Sequence, residues 1–263
     1  MYLIHFSFCG KKYHGWQFQE NALTVQEVLH KVLEQIFKIK LPYPYGCSRT
    51  DTGVHALEFL ATLPNFYDIP ADSLKKGLNS LLPDDIRVYK VEKKEGFKDA
   101  RKLVEGKHYR YVVCTKKVPS PFTSSLSWHS PYPLDVPEMN KALLHFVGTH
   151  DFASFMSAGS EVKTTVRTLK SARIFKTEDY LIFDFLGTGF LKHQIRIMCG
   201  TLVTVGRGRL ESGSIPGILS GKNRELAPHT TLPGKGLYLY KLFFSLEKTN
   251  SYVFPDSFKE IIW

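Results

Sequence analysis

One short polar segment holds the residues best suited to chemistry. Residues 46–56 read Gly-Cys-Ser-Arg-Thr-Asp-Thr-Gly-Val-His-Ala, so Arg49 stands two positions before Asp51 and Gly53 two positions after it. A carboxylate removed from water is unfavourable unless a guanidinium or backbone N–H groups hold its charge. Gly53 permits a backbone conformation closed to most residues, so a turn here could aim the Asp51 carboxylate at a cleft. Taken alone, the pattern is more typical of an ordinary turn with a local Asp–Arg pair.

A second group, residues 107–111, reads Lys-His-Tyr-Arg-Tyr. In a strand, Tyr109 and Tyr111 share one face, and His108 and Arg110 share the other. Sheet packing is the favoured role for Tyr111. A cleft-facing Tyr109 could stack on a base and offer its hydroxyl as a proton relay.

A third group, residues 187–196, reads Gly-Thr-Gly-Phe-Leu-Lys-His-Gln-Ile-Arg and suggests a glycine-rich turn that opens a helix. A helix N-terminus can receive a phosphate or a carboxylate, but the glycine spacing is not a dinucleotide fingerprint. His193 and Arg196 are three positions apart and are predicted to share a helical face. Beside a cleft aspartate, Arg196 would favour the ionised carboxylate.

Two further motifs leave alternatives open. The polar-aromatic segment 13–17, Tyr-His-Gly-Trp-Gln, could hold the first turn or line the path of an RNA. His150-Asp151 suggests a metal ligand pair, but no other acidic or histidine cluster lies nearby in sequence, so a turn is predicted there. No Ser-His-Asp or Cys-His arrangement is recognisable.

Charge points to a polyanionic partner. The 263 residues carry a formal charge of +10, which favours a polyanionic partner such as nucleic acid, although solubility or an acidic protein partner could also explain it. The stretch from Lys93 to Lys117 contains nine basic residues and three acidic ones. This stretch is either a solvated linker or a groove along a phosphate backbone, and the interspersed aromatics Phe97, Tyr109 and Tyr111 favour the groove.

Cysteine usage and hydropathy indicate the compartment. The four cysteines are far apart without a C-x-x-C pair, so no zinc site is predicted. The N-terminus does not read as a secretory leader, and no apolar run approaches membrane-spanning length. A cytoplasmic protein with reduced thiols and no membrane partner is therefore expected.

Hydrophobic periodicity predicts the framework that positions these groups. Thr24 is predicted to cap a helix with Glu27 at the third helical position, and Asp135 to cap another. Leu74, Leu78 and Leu81 are predicted to face inward. The remaining segments are strands at 2–8, 57–63, 86–92, 108–115, 169–175, 180–186 and 236–245, and helices at 24–37, 70–82, 137–147 and 191–205. Two α+β halves with mostly antiparallel sheets follow, one at 1–105 and one at 106–263, with the basic stretch at their junction.

Motifs along almost the whole chain share the order and spacing of a known family. They are residues 13–17, 24–26, 48–56, 78–80, 82–86, 100–101, 107 with 109–111, 148–152, 189–196, 231, 233 and 236–239. Together they resemble the tRNA pseudouridine synthase A family. Cys9, Thr52, residues 102–104, Leu232 and Gly234 depart from the family pattern, which bears on the breadth of substrates.

The resemblance implies a site and an architecture. Asp51 is expected to be the catalytic residue, with Arg49, Tyr109 and Arg196 beside it. The expected substrate contacts are Tyr109, Leu237, Arg101, Lys107, Arg110 and His193. The expected fold is the pseudouridine synthase fold, two ferredoxin-like or RNP-like halves that form a continuous sheet around a central basic cleft. A homodimer that binds tRNA without cofactor or metal is also implied.

The implied reaction converts uridine to pseudouridine at tRNA positions 38, 39 and 40 of the anticodon stem-loop. The target base must leave its stack to be reached. Attack by Asp51 at C1′, attack at C6 and elimination all remain open. Two other classes compete with this reading: a non-catalytic RNA-binding or chaperone protein on the same scaffold, and a metal-dependent hydrolase around His150-Asp151.

Overall fold

The structure is a computed structural model that describes residues 1–66, 68–159 and 162–256. The first elements are β1 (Tyr2–Phe8), α1 (Val25–Phe37), β2 (Tyr45–Gly46), β3 (His55–Leu63), α2 (Ala71–Leu81), β4 (Ile86–Lys93) and α3 (Ala100–Leu103). The later ones are β5 (Gly106–Cys114), β6 (Trp128–His129), α4 (Val136–Leu144), β7 (Gly148–Asp151), β8 (Val166–Lys176), β9 (Tyr180–Gly187), α5 (Gln194–Gly206), α6 (Ile215–Gly221), β10 (Leu237–Phe243) and α7 (Glu247–Asn250). Within the described ranges, no helix is both long and apolar enough to cross a membrane.

The chain forms two compact units that are not simply consecutive. The first contains Met1–Glu105 and Tyr238–Phe244, and the second contains Gly106–Leu237 and the chain from Ser245 onward. The second segment of the first unit is almost all of β10, which pairs in parallel with β3 through Tyr238–His55 and Leu239–Ala56. The domain boundary predicted at residue 105 did not assign residues 238–244 to the first unit.

The first unit is a sheet in the order β4-β1-β3-β10, with β2 paired to β3. Strand β1 runs antiparallel to both β3 and β4. On the face toward the helices, Phe6 and Trp16 pack on Phe59, with ring centroids 5.2 and 4.6 Å from it. These rings are buried and form the core on which the polar segment 46–56 rests.

The helices of the first unit largely match their sequence signals. The Thr24 hydroxyl accepts a hydrogen bond from the Glu27 N–H at 3.3 Å, which confirms the predicted cap of α1. Leu74 and Leu78 of α2 are fully buried, as predicted. The inward position predicted for Leu81 is wrong, because α2 ends there and the extended Leu82 enters the core instead.

The second unit contains an antiparallel sheet in the order β5-β9-β8-β7, with the short β6 parallel to β5. The predicted hairpin is confirmed as β8 and β9. Asp135 caps α4 by accepting from the Glu138 N–H at 3.0 Å. Together with the first unit, these elements confirm an α+β protein with mostly antiparallel pairing.

The start of α5 differs from the prediction. The helix begins at Gln194 rather than Leu191, and His193 precedes it in the left-handed conformation with φ 61°. The Gln194 side chain accepts from the Leu191 N–H at 2.8 Å, which closes the turn before the helix. His193 is therefore outside the helix, and the prediction that it shares a helical face with Arg196 is wrong.

Candidate active site

Backbone hydrogen bonds hold the turn that carries Asp51. The Val54 N–H donates to the Asp51 carbonyl at 3.1 Å, and Gly53 has φ +77°, the left-handed conformation predicted for it. Segment 13–16 binds the same turn from outside. The Trp16 N–H donates to the Thr50 carbonyl at 3.2 Å, and the Gly53 N–H donates to the Tyr13 carbonyl at 3.1 Å. Both sides of Asp51 are therefore fixed by main-chain contacts.

Two glycines, Gly10 and Gly15, allow their segment to pack directly against the backbone of the Asp51 turn. A Cβ on Gly15 would lie 2.2 Å from the Thr50 carbonyl oxygen, and Gly15 itself has φ +86°. A Cβ on Gly10 would lie 2.0 Å from the Val54 carbonyl oxygen. Because neither position has room for a side chain, the two segments pack backbone against backbone.

The buried side chains of Tyr13 and Trp16 hold segment 13–17 in place. The Tyr13 hydroxyl donates to the Asp85 carboxylate at 2.5 Å, and burial together with this bond raises the pKa of the Tyr13 phenol well above its ordinary value. The Trp16 indole lies over Gly46, where a Cβ would come within 2.4 Å of the ring. Tyr13 and Trp16 thus hold the turn, whereas His14 and Gln17 in the same segment are exposed.

The side chains at the turn differ in exposure. Asp51 is half-buried, and Arg49 is exposed. Just beyond the turn, His55 is buried, accepts from the Gly10 N–H at 3.1 Å and stacks on Tyr238 with ring centroids 4.7 Å apart. The stack ties β10 to the strand that follows Asp51. A half-buried carboxylate on a fixed turn is accessible to a ligand while its backbone stays in place.

In the second unit, Tyr109 is buried and meets Phe190 edge to face at 5.2 Å. Leu237 is also buried. Tyr111, two positions along β5 from Tyr109, donates its hydroxyl to the Pro233 carbonyl at 2.8 Å and packs against Gly236. These contacts match the packing role favoured for Tyr111 and fix the chain just before Leu237.

Arg196 and His193 are held by different neighbours. The Arg196 Nε–H donates to the Leu232 carbonyl at 2.7 Å, and the Leu232 N–H donates back to the Arg196 carbonyl at 3.2 Å. The half-buried Arg196 is therefore oriented by segment 230–232. His193 is half-buried, and its Nδ1 shares a hydrogen bond with the Ser157 hydroxyl at 2.6 Å.

Arg110 does not suit the predicted substrate contact. Its side chain is fully buried and donates from Nε to Asp184 at 2.7 Å and from Nη2 to the Pro255 carbonyl at 2.7 Å. The fully buried His108 and the partly exposed Arg173 bind the same carboxylate at 2.8 and 3.1 Å. A guanidinium used up inside this cluster is not placed to reach an RNA phosphate, so its role is structural.

The pKa values within the Asp184 cluster are shifted. Burial alone would raise the pKa of Asp184, but hydrogen bonds from His108 and Arg110 outweigh it and hold that pKa below its ordinary value. Burial lowers the pKa of His108, and the Asp184 carboxylate offsets this only in part. The cluster therefore favours a charged aspartate beside a neutral histidine.

Arg101 and Lys107 are more accessible than Arg110. Arg101 is exposed on α3, and its Nε–H donates to both Asp99 carboxylate oxygens at 3.0 Å. Those hydrogen bonds lower the pKa of Asp99, and the same carboxylate accepts from the Arg101 backbone N–H at the start of α3. Lys107 is half-buried on β5.

The histidine–aspartate pair considered as a metal ligand has other partners. His150 and Asp151 belong to strand β7, so the predicted turn is wrong. The His150 Nε2 lies 3.0 Å from the Val147 carbonyl, and Asp151 accepts from the Ala153 N–H at 3.1 Å. Across residues 1–66, 68–159 and 162–256, no group of three or more His, Cys, Asp or Glu side chains could hold a metal ion.

The predicted site residues are divided between the units. Arg49, Asp51 and Arg101 belong to the first, whereas Lys107, Tyr109, Arg110, His193, Arg196 and Leu237 belong to the second. That the two sets meet around one substrate stays a prediction. Sequence reasoning missed the clamp that segment 10–16 forms on the Asp51 turn, although Gly10 and Gly15 on either side of Tyr13, with Trp16 next to Gly15, were its signal.

Comparison with known proteins gives consistent matches. Residues 142–245 match the profile of the family described as tRNA pseudouridine synthase. A Thermoanaerobacter sp. (strain X514) protein named tRNA pseudouridine synthase A is 40% identical over 92% of this chain and 98% of its own length. Proteins of Ruminiclostridium cellulolyticum and Bacillus cereus, named tRNA pseudouridine synthase A and A 1, are 40% and 39% identical over 89% and 90% of this chain and 96% and 95% of their own lengths.

Proposed function

This chain belongs to the tRNA pseudouridine synthase family, and on that premise we propose that it isomerises uridine to pseudouridine in tRNA with Asp51 as the essential catalytic residue. The N1–C1′ bond of the nucleotide breaks, C5 bonds to C1′, C5 loses its proton and N1 gains one. No atom is added overall, so the reaction needs positioning and proton transfer rather than a second substrate.

The fixed turn around Asp51 is the observation that carries this proposal. An ionised carboxylate can act as a nucleophile or as a base, and both roles need it to be held in one place. The hydrogen bonds from Trp16 and to Tyr13 hold the backbone on either side of Asp51. The half-buried position leaves the carboxylate accessible to a base that has been turned out of its stack.

The proposal assigns roles to the other predicted residues. Arg49 and Arg196 support Asp51 in the active site, and Tyr109 stacks on the base or receives the C5 proton. Leu237 contacts the base. The proposed targets are positions 38, 39 and 40 of the anticodon stem-loop, and the proposed working form is a cytoplasmic homodimer.

Mapping of pseudouridine in an unmodified tRNA transcript tests the proposal with Asp51→Asn. We expect turnover to fall by about a thousandfold or more, with tRNA affinity within about twofold of wild type, because the change removes the reacting charge and keeps its shape. Asp72→Asn, an exposed aspartate at the start of α2, is the matched control and should retain full activity. Activity retained by Asp51→Asn would remove the catalytic assignment, and tRNA binding without turnover by wild type would favour an RNA chaperone.

A further inference from the structure

Tyr45 and Phe97 form an aromatic pair on the surface of the first unit, here called the aromatic platform. Their ring centroids are 5.4 Å apart at an interplanar angle of 62°. The two residues are 42% and 43% exposed. Single exposed apolar residues are ordinary, but two exposed rings in contact offer a surface on which a planar base can stack.

The backbone beneath Tyr45 is fixed. Tyr45 lies in β2 and pairs with Thr62 of β3. The next residue, Gly46, is pressed against the Trp16 indole, and the Cys47 N–H donates to the Leu60 carbonyl at 2.8 Å. This segment continues directly into the turn that carries Asp51, so the platform and the catalytic candidate share one anchored stretch of chain.

Phe97 is supported from the other side. The Lys94 N–H donates to the Met1 carbonyl at 2.9 Å, and the Lys98 N–H contacts the Met1 sulfur at 3.2 Å. Between them, Gly96 turns the chain with φ +66°. Because hydrogen bonds fix the backbone near both rings, the protein loses little conformational entropy when a ligand stacks on them.

Basic residues lie in the segment that contains Phe97 and on the adjoining helix α3. Arg101 lies on α3, which packs against β2, and three exposed lysines precede and follow it in the same segment. These four residues form the cationic rim: Lys94, Lys98, Arg101 and Lys102. Of the two acidic residues in the segment, Asp99 is engaged by Arg101. Lysine is depleted at the centres of interfaces between proteins, whereas cations around exposed rings suit a nucleic acid.

We propose that the aromatic platform stacks an unpaired nucleotide of the RNA substrate while the cationic rim contacts the adjoining phosphates. The proposal rests on the proposed function, since it takes the ligand to be the same RNA. Stacking on an aromatic side chain tolerates any base, so the platform would add affinity for an unpaired loop without selecting its sequence.

Alanine at both platform positions tests the proposal through tRNA affinity. The variant Tyr45→Ala/Phe97→Ala should raise both the Kd for an unmodified tRNA transcript and the KM by about tenfold or more, with kcat close to wild type. Tyr45→Phe/Phe97→Tyr keeps both rings and should bind like wild type. Phe66→Ala removes an equally exposed ring of the same unit and is the matched control.

The outcomes separate this proposal from its alternatives. Thermal unfolding of each variant checks that folding is intact, and the ring-retaining variant shows that an effect belongs to stacking. A double-alanine variant that binds tRNA as tightly as the Phe66→Ala control overturns the platform. A variant whose sedimentation changes while its Kd does not would make the surface a contact between copies of the chain. If wild type binds tRNA but makes no pseudouridine, the proposed function fails while the affinity test remains decisive for the platform.

Discussion

Asp51 in the first unit has an arginine two positions before it in sequence, and Asp184 in the second unit has arginines in contact with it, so the two differ in how the fold positions them. Asp184 is fully buried, and its carboxylate is bound by His108, Arg110 and Arg173. Asp51 is half-buried on a turn whose backbone is bound by segment 13–16. The partners of Asp184 bind its side chain, and the hydrogen bonds from segment 13–16 fix the main chain of the Asp51 turn.

This difference separates a stabilising charge from one suited to chemistry. A buried carboxylate must be matched by partners at all times, because an uncompensated charge in the interior is costly. A carboxylate on a fixed backbone can meet a substrate without losing the contacts that position it. An arginine near an aspartate in sequence therefore does not tell a catalytic aspartate from a structural one. The hydrogen bonds to its side chain and to its backbone in the fold are more informative.

The largest effect on stability should come from Asp184→Asn. It leaves the buried Arg110 charge without its counter-charge, so the free energy of unfolding should fall by about 3–5 kcal/mol. Asp51→Asn should change it by less than about 0.5 kcal/mol, because the turn is held through main-chain atoms. Urea unfolding of both variants gives the comparison, and equal stabilities would contradict the proposed division of roles.

Gly15→Ala should damage the Asp51 turn without touching the carboxylate. The new Cβ would collide with the Thr50 carbonyl, and φ +86° is strained for alanine, so a loss of about 1–3 kcal/mol is expected. Displacement of Asp51 should lower kcat by about tenfold to a hundredfold. Gly213→Ala, where a Cβ meets no atom within 4 Å, is the control for stability and kcat. Normal kcat in Gly15→Ala would show that the clamp does not position the site.

Stability should decrease in acid through the Asp184 cluster. Below about pH 6.5 the unfolded chain protonates His108, whereas the folded chain resists because burial lowers that pKa, so stability falls with pH. Below about pH 4, Asp184 acts in the same direction, because its folded-state pKa is lowered and its stabilising effect is lost as the pH falls through that value.

Urea unfolding at pH 5 and pH 7.5 measures the His108 part of this dependence. His108→Gln should flatten the decrease between these values, and a residual slope from His5 and His30 is expected because burial lowers their pKa values too. An unchanged slope in His108→Gln would assign the pH dependence to other groups.

A smaller effect on kcat than that of Gly15→Ala is expected for Tyr13→Phe. This change removes the hydrogen bond to Asp85, which keeps its contact with Lys12 at 3.3 Å, so the free energy of unfolding should fall by about 1–2 kcal/mol. The main-chain bond from Gly53 to the Tyr13 carbonyl remains available, and kcat should stay within about twofold. A collapse of kcat would mean that the Tyr13 side chain, rather than the backbone, positions Asp51.

Local signals in the sequence predicted much of the framework. The caps at Thr24 and Asp135 and the β8–β9 hairpin depend on neighbouring residues, and all three are confirmed. The alternation along β5 placed His108 and Arg110 together, as their shared contact with Asp184 shows. Periodicity of this kind reports which residues share a face, because it arises from backbone geometry alone.

Periodicity could not predict the tertiary contacts that a given face makes. Arg110 was expected to contact the substrate, and its partner Asp184 could not be predicted because it is a cross-strand neighbour from far along the chain. Arg173 flanks the same residue from β8. The exposed Leu81 and the left-handed His193 depend on where a helix ends or begins. The clamp on Asp51 likewise joins segments that periodicity does not connect.

The pairing of β10 with β3 has a consequence for biosynthesis. Strand β3 is translated well before β10, the strand that pairs with it beside His55. At about 5–20 residues per second, the flank of β3 would wait roughly ten to thirty seconds for its neighbour. During that time the nascent chain lacks the Tyr238 ring that stacks on His55, so prematurely terminated products would carry the Asp51 turn without this support.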